Sequence, residues 1–139
     1  MDTAKFARQF IEAIPHAKLL SMELTRLEEG LAEMAMPYDT RLIGDPDTGV
    51  IAGGAVSALM DTCCGAAVMS HPASPMGTAT IDLRISYMRA ATPGQQVRTV
   101  AECYHVTRSV AFVRATAYDD DPDNPVATAS GSFTVEGKP

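Results

Sequence analysis

Two glycines and one acid stand out in the segment GVIAGGAVSALMDTCCGAAVMS, which runs from Gly49 to Ser70. Gly53 and Gly54 precede an almost unbroken apolar run, and Asp61 is the single charged residue inside it. Glycines at the start of a helix leave backbone N–H groups that can receive a developing oxyanion. A carboxylate further along the same helix can serve as a base or a nucleophile. These groups suit a reaction that builds negative charge on an oxygen atom.

The apolar run predicts a long helix buried on all sides, because it has no polar face to present to water. A shorter amphipathic helix is predicted at the N-terminus, where Phe6, Phe10 and Ile11 recur at helical spacing, and it should end at Pro15. The two helices differ in their surroundings: the first covers a surface, whereas the second must be enclosed.

Alternating apolar residues predict that the rest of the chain forms strands. Two strands are expected at 19–28 and 31–38, followed by a loop over 39–49 that is rich in Asp, Gly and Pro. Four more strands are expected as a meander, at 80–89, 97–106, 110–118 and 126–135. An enclosed helix requires a sheet that wraps it. We therefore predict an α+β hotdog fold, about six antiparallel strands around one long central helix, as a single domain over 1–139.

Composition and charge exclude several functional classes. The 139 residues carry 11 basic and 17 acidic side chains, a formal net charge of −6, which speaks against nucleic-acid binding. No apolar run is long enough to cross a bilayer, and the N-terminus does not have the pattern of a signal peptide. Cys63, Cys64 and Cys103 have neither disulfide nor metal-ligand spacing, which predicts buried thiols in a cytoplasmic protein without a metal.

The segment GVIAGGAVSALMDTCCGAA, followed by TIDLRISYMRAA, resembles the PaaI-type hotdog thioesterases, relatives of 4-hydroxybenzoyl-CoA thioesterase. The resemblance implies hydrolysis of an acyl-CoA thioester to a free acid and a thiol, with no cofactor, since coenzyme A is part of the substrate. Gly53 and Gly54 match the family's glycine pair, and Asp61 matches its acid. The resemblance further implies that the Gly53 N–H polarises the thioester carbonyl, that Asp61 acts as base or nucleophile, and that Thr80 helps to place water.

The resemblance also implies the position of coenzyme A and the assembly of the site. Tyr87, Met88 and Arg89 match one segment that contacts coenzyme A, and Arg108 and Ser109 match another. The two arginines are predicted to bind phosphate groups, which an acidic protein must hold through local cations. In the family the acid comes from a partner subunit, so we expect a homodimer as the minimal unit, with a homotetramer left open.

Two departures from the family pattern leave alternatives open. Ala52 stands where the family usually has His, and the preceding loop, 44–47, offers no amide side chain. A non-hydrolytic acyl-CoA-binding protein is one alternative, and a hotdog dehydratase, which needs a His–acid pair, is a weaker one. Asp61 could also be a structural acid. The acidic run 119–121 is predicted to be a solvated turn.

Overall fold

The computed structural model describes residues 3–73 and 75–137. The helices are α1 (Thr3–Glu12), α2 (Pro15–Leu19) and α3 (Gly53–Met69), with a short 3-10 helix at Thr40–Leu42. The strands are β1 (Glu23–Glu28), β2 (Leu31–Met36), β3 (Ile43–Asp45), β4 (Val50–Ile51), β5 (Thr80–Tyr87), β6 (Val97–Val106), β7 (Val110–Tyr118) and β8 (Ala127–Thr134).

Six of the strands form one antiparallel sheet in the order β1-β2-β6-β7-β8-β5. Helix α3 packs across β2, β6 and β7 in the middle of the sheet, and α1 covers α3 and β1. The predicted hotdog architecture and its central helix are confirmed. Most of α3 is buried, including Leu59, Met60 and Cys63, which are completely inaccessible. The all-apolar helix is accommodated because the sheet and α1 together cover it.

The predicted meander of the last four strands is wrong in one respect. Only β6, β7 and β8 follow one another in the sheet, whereas β5 pairs with β8. The other edge of β6 is occupied by β2, with Ala32 opposite Ala101, so β5 cannot pair there. The chain therefore carries β5 from the end of α3 to the far edge of the sheet. This placement makes β5 an edge strand, which bears on the site.

The boundaries near the N-terminus also differ from those predicted. Helix α1 ends at Glu12, ahead of Pro15, and Pro15 instead begins α2, because proline is accepted in the first turn of a helix. Leu19 consequently lies in α2, and β1 begins only at Glu23. The predicted loop over 39–49 contains the 3-10 helix and β3, which pairs with β4 as a small hairpin ahead of α3.

Within the described residues, no helix is both long enough and apolar enough to span a bilayer.

Candidate active site

Asp61 is half-buried rather than enclosed in the core, because its side of α3 faces the edge strand β5. Thr80, the first residue of β5, is exposed, and its hydroxyl donates a 2.6 Å hydrogen bond to Oδ1 of Asp61. Among residues 3–73 and 75–137, no other donor contacts this carboxylate. The second oxygen, Oδ2, can therefore accept a further hydrogen bond, while Thr80 holds the orientation of the group.

The first turn of α3 presents free backbone donors. Ala52 occupies the N-cap position and its side chain makes no capping hydrogen bond. Gly53 and Gly54 are both exposed, and within the described part of the chain their N–H groups meet no acceptor. The Tyr87 hydroxyl donates a 2.8 Å hydrogen bond to the Gly53 carbonyl, which ties the helix start to the end of β5. Uncapped N–H groups at the positive end of a helix can stabilise an oxyanion.

The loop before α3 is held by backbone contacts, although the family histidine is absent. The Ala52 N–H donates to the Leu42 carbonyl at 2.8 Å. Gly44 lies so close that a Cβ on it would be 2.8 Å from the Cα of Ala52, so only glycine fits there. The Tyr38 hydroxyl donates to the Gly49 carbonyl at 2.6 Å and braces the hairpin. Close packing of the hairpin thus positions the start of the helix without a histidine.

An open cavity of about 290 Å³ lies beside Gly53. Its lining is predominantly apolar, as expected for a small-molecule site. On α3, Val56 borders this cavity, whereas Leu59 and Met60 are fully buried in the core. Tyr87 and Met88, both largely exposed, form part of the lining. The complete lining is Val50, Ile51, Gly53, Val56, Tyr87, Met88, Arg89, Ala90, Ala91 and Val126.

The glycine pair and the acid cannot act on the same carbonyl within one chain. Gly53 and Asp61 are eight positions apart on α3. This spacing corresponds to about 12 Å along the helix axis. Reacting groups must approach to roughly 3–3.5 Å. Within one chain, the Gly53 donors and the Asp61–Thr80 pair are therefore two separate groups.

Arg89 is engaged with protein acceptors. Its guanidinium has five N–H donors. These donate to both carboxylate oxygens of Asp119 at 2.7 and 2.8 Å, to the Asn124 carbonyl from two nitrogens, and to the Ala90 carbonyl. The phosphate contact predicted for Arg89 stays a prediction, and it would require these bonds to be exchanged.

Arg108 and Ser109 lie in the turn between β6 and β7, at the other end of β5 from Arg89. Both are exposed, and the Ser109 carbonyl accepts a hydrogen bond from Val135 N at 2.9 Å. In the described ranges, the Arg108 guanidinium has no hydrogen-bond acceptor. The length of β5, roughly 23 Å at the usual rise per residue, separates this turn from Arg89. The structure does not bring the two predicted phosphate ligands together within one chain.

Comparison with known proteins decides the family. Residues 48–126 match the family model described as "Thioesterase superfamily", and this segment contains Gly53, Asp61 and Thr80 and more than half of the chain. The chain belongs to the thioesterase superfamily. The chain is also similar to the medium/long-chain acyl-CoA thioesterase YigI of Escherichia coli K12, with 24% identity over 91% of this chain and 88% of YigI.

Solved structures of similar proteins share the fold of this chain. A Pseudomonas aeruginosa protein of known crystal structure is 39% identical, with a TM-score of 0.84 over 95% of this chain and 98% of that protein. The E. coli PaaI protein from the phenylacetic acid degradation operon superposes with a TM-score of 0.86 over 99% of this chain and 95% of PaaI. PaaI is only 18% identical, so this likeness shows the fold alone.

The three cysteines of this thioesterase superfamily member are buried free thiols, as predicted. Burial raises the pKa of Cys64 to about 12, and the nearby Asp61 carboxylate adds to the effect. Burial likewise raises the pKa of Cys103 to about 11. A thiol must ionise to act as a nucleophile, so these residues are unsuited to covalent catalysis at neutral pH. Across residues 3–73 and 75–137, no three His, Cys, Asp or Glu side chains cluster as a metal site.

Asp119 is buried in this thioesterase fold, although the sequence predicted a solvated turn at this position. The run 119–121 is not entirely a solvated turn, because Asp119 is only 1% exposed and pairs with Arg89. The alternation of β7 could have revealed it. Buried residues recur at every second position from Ala111 to Ala117, and the next position of that series is 119. The Arg89 guanidinium holds the pKa of Asp119 well below its usual range, with backbone and hydroxyl donors adding to the effect.

Proposed function

We propose that this chain hydrolyses acyl-CoA thioesters to a free acid and coenzyme A. The observation that carries the proposal is the pair of uncapped N–H groups at Gly53 and Gly54, of which Gly53 lines an apolar cavity, in a member of the thioesterase superfamily. The acyl-CoA activity of the relative YigI supports the substrate class. No metal or redox cofactor enters the proposed reaction.

In the proposed reaction the thioester carbonyl oxygen accepts a hydrogen bond from Gly53 N–H, with Gly54 N–H beside it. Charge that develops on this oxygen is stabilised by the helix start. Asp61, held by Thr80, either takes a proton from the attacking water or attacks the carbonyl carbon itself. The carbon–sulfur bond then breaks, and the thiolate of coenzyme A takes up a proton. On the nucleophilic route a water molecule then hydrolyses the acyl–Asp61 anhydride, which releases the free acid and restores the carboxylate. The acyl group occupies the cavity lined by Val56, Tyr87 and Met88.

A screen for thiol release tests the proposal directly. Purified protein is offered acyl-CoA thioesters of increasing chain length and aromatic acyl-CoA thioesters, and free coenzyme A is followed over time. Turnover that saturates with substrate supports the proposal. Binding of acyl-CoA without release of thiol identifies a non-hydrolytic acyl-CoA-binding protein instead.

We propose that the complete site forms in a homodimer, in which Asp61 of one protomer faces Gly53 of the other. The separation of the Gly53 donors from the Asp61–Thr80 pair within one chain supports this arrangement. Strand β5 is an edge strand, and Ile81, Tyr87 and Met88 on or next to it are each more than half exposed. An exposed strand edge with apolar side chains favours pairing with another chain.

We expect light scattering at micromolar concentration to give at least twice the chain mass. Ile81→Lys should shift the protein toward monomer and abolish turnover together, because a lysine ammonium at a buried interface is costly. Leu19→Lys is the matched control, since Leu19 is 71% exposed on α2, and it should change neither property. An active wild-type monomer would contradict the shared site.

We propose that Arg108 and Ser109 contact coenzyme A, with Arg108 at a phosphate group. Arg108→Ala should raise KM for acyl-CoA thioesters several-fold while kcat changes little, because phosphate contacts are alike in the ground and transition states. Lys18→Ala removes an equal charge from the exposed side of α2 and should leave KM unchanged. An Arg108→Ala variant with the wild-type KM would remove this residue from the coenzyme A site.

A further inference from the structure

One buried carboxylate holds the segment that follows β5. Oδ2 of Asp119 accepts hydrogen bonds from Arg89 Nη1 at 2.7 Å, from the Thr92 hydroxyl at 2.8 Å and from the Thr92 N–H at 3.1 Å. Oδ1 accepts from Arg89 Nη2 at 2.8 Å and from Asp121 N at 3.1 Å. Both oxygens thus accept at least two hydrogen bonds each, and four of the five donors belong to the short segment 89–92.

The same segment forms one wall of the cavity beside Gly53. Met88, Arg89, Ala90 and Ala91 line the cavity, together with Val126. The N–H groups of Met88 and Arg89 both donate to the Val126 carbonyl, at 2.8 and 3.3 Å. The wall therefore extends the end of β5 beyond its last regular residue and depends on a few specific contacts.

A continuous path of contacts joins Asp119 to the proposed oxyanion donors. Asp119 binds Arg89, which follows directly on Tyr87 and Met88, and the Tyr87 hydroxyl bonds the Gly53 carbonyl in the first turn of α3. Loss of the carboxylate would leave the Arg89 side chain, 23% exposed, without its ionic partner. A half-buried unpaired charge is unfavourable, so the segment would have to move to solvate it, and the cavity wall would move with it.

We propose that Asp119 is a positioning residue for the thioester site, which sets the shape of the acyl cavity through Arg89 and Thr92. This inference rests on the proposed thioester hydrolysis and deepens it, because it names what determines the fit of the acyl chain. Arg89 then acts inside the protein, through its bonds to Asp119 and Asn124, and its charge is neutralised there.

The alternative role of Arg89, as a ligand of a coenzyme A phosphate, predicts the opposite behaviour. If Arg89 bound phosphate, Asp119→Asn would release the guanidinium from its partner and strengthen binding of coenzyme A thioesters. If Asp119 positions the wall, the same change weakens the fit of the acyl chain, whether or not a nucleotide is attached to it. Thioesters with and without the nucleotide therefore distinguish the two roles of Arg89.

The test measures kcat and KM for two matched substrate series, acyl-CoA thioesters and N-acetylcysteamine thioesters of the same acyl chains. The variants are Asp119→Asn, Arg89→Lys and Thr92→Val, assayed at a temperature at which circular dichroism shows each to be folded. Thr92→Val keeps the shape of the side chain and removes only one donor to Asp119, so it reports on positioning even if Asp119→Asn does not fold. Arg114→Ala, which removes an exposed arginine on the outer face of the sheet, is the control.

We expect KM for the best acyl chain to rise on the order of tenfold in Asp119→Asn, on both series, with a smaller rise in Thr92→Val. The preference among chain lengths should flatten as the wall loosens, an effect that loss of folded protein alone does not produce. The inference would be overturned by changes confined to the CoA series, or by an unchanged KM and chain-length preference in folded variants. In either case, turnover by the wild type would still support the proposed function. A wild type that releases no thiol from either series would refute the function itself, and the inference with it.

Discussion

Asp61→Asn lowers kcat by about a hundredfold or more while the protein remains folded, if Asp61 acts as base or nucleophile. Asparagine has nearly the same size, and its carbonyl oxygen can still accept the hydrogen bond that Thr80 donates to Oδ1. The change therefore removes the chemistry and keeps the contact that orients the side chain. Thiol release and thermal melting measured on one preparation give both quantities.

Asp123→Asn is the matched control for Asp61→Asn. Asp123 lies exposed in the turn between β7 and β8, so the control makes the same change of charge at a residue that neither lines the cavity nor binds Asp61. It should leave kcat and the melting temperature unchanged. If Asp61 is instead a structural acid, Asp61→Asn lowers the melting temperature and activity falls only in proportion to folded protein. Wild-type specific activity in the folded variant would remove Asp61 from the mechanism.

The second large effect is on stability. Asp119→Asn should lower the free energy of unfolding by about 3 kcal/mol, the usual cost of breaking a buried ion pair by removing one partner. For a chain of this length that loss corresponds to a melting temperature lower by roughly 10 °C. Asp120→Asn, at the exposed neighbouring position, should have almost no effect.

The stability loss in Asp119→Asn should depend on pH. The pKa of Asp119 is lowered in the folded state, chiefly by Arg89, from an ordinary value of 3.8. The folded carboxylate therefore stays ionised at a pH where the unfolded one takes up a proton, and its stabilising contribution is complete above about pH 5. As the pH falls through 3.8 and below, that contribution declines. The difference in melting temperature between wild type and variant should narrow over the same range, and a constant difference would contradict the assignment.

Much of this fold could be predicted because its strongest signals are local in sequence. An apolar run with no polar face defines α3, and alternation defines the strands β5 to β8. The pairing order could not be predicted in the same way. Whether β5 joins β6 or β8 depends on whether β2 already occupies the edge of β6, and that pairing joins residues about seventy positions apart. No local pattern carries that information.

Some features of the candidate site could likewise be predicted from the sequence, and others could not. Gly53, Gly54 and Asp61 could be proposed from sequence because they lie on one helix, where spacing alone defines their relation. The hydrogen bond from Thr80 to Asp61 and the one from Tyr87 to Gly53 required the tertiary structure, since the contact partners belong to different elements. The partial exposure of Asp61 also required the tertiary structure, because an all-apolar helix suggested that this residue would be buried.

The sequence by itself determined the central helix, its glycine pair and acid, and the family, because these depend on residue types at short, regular spacing. Only the tertiary structure decided that Arg89 pairs with Asp119, which lies 30 positions away and appears in sequence as part of an acidic turn. Ion pairs of this kind form where the fold brings two chain segments together and excludes water between them. The alternation of β7 indicates that Asp119 is buried, but neither composition nor periodicity records which segment approaches it. Sequence alone therefore predicts that Arg89 binds phosphate, whereas the fold pairs it with a buried carboxylate.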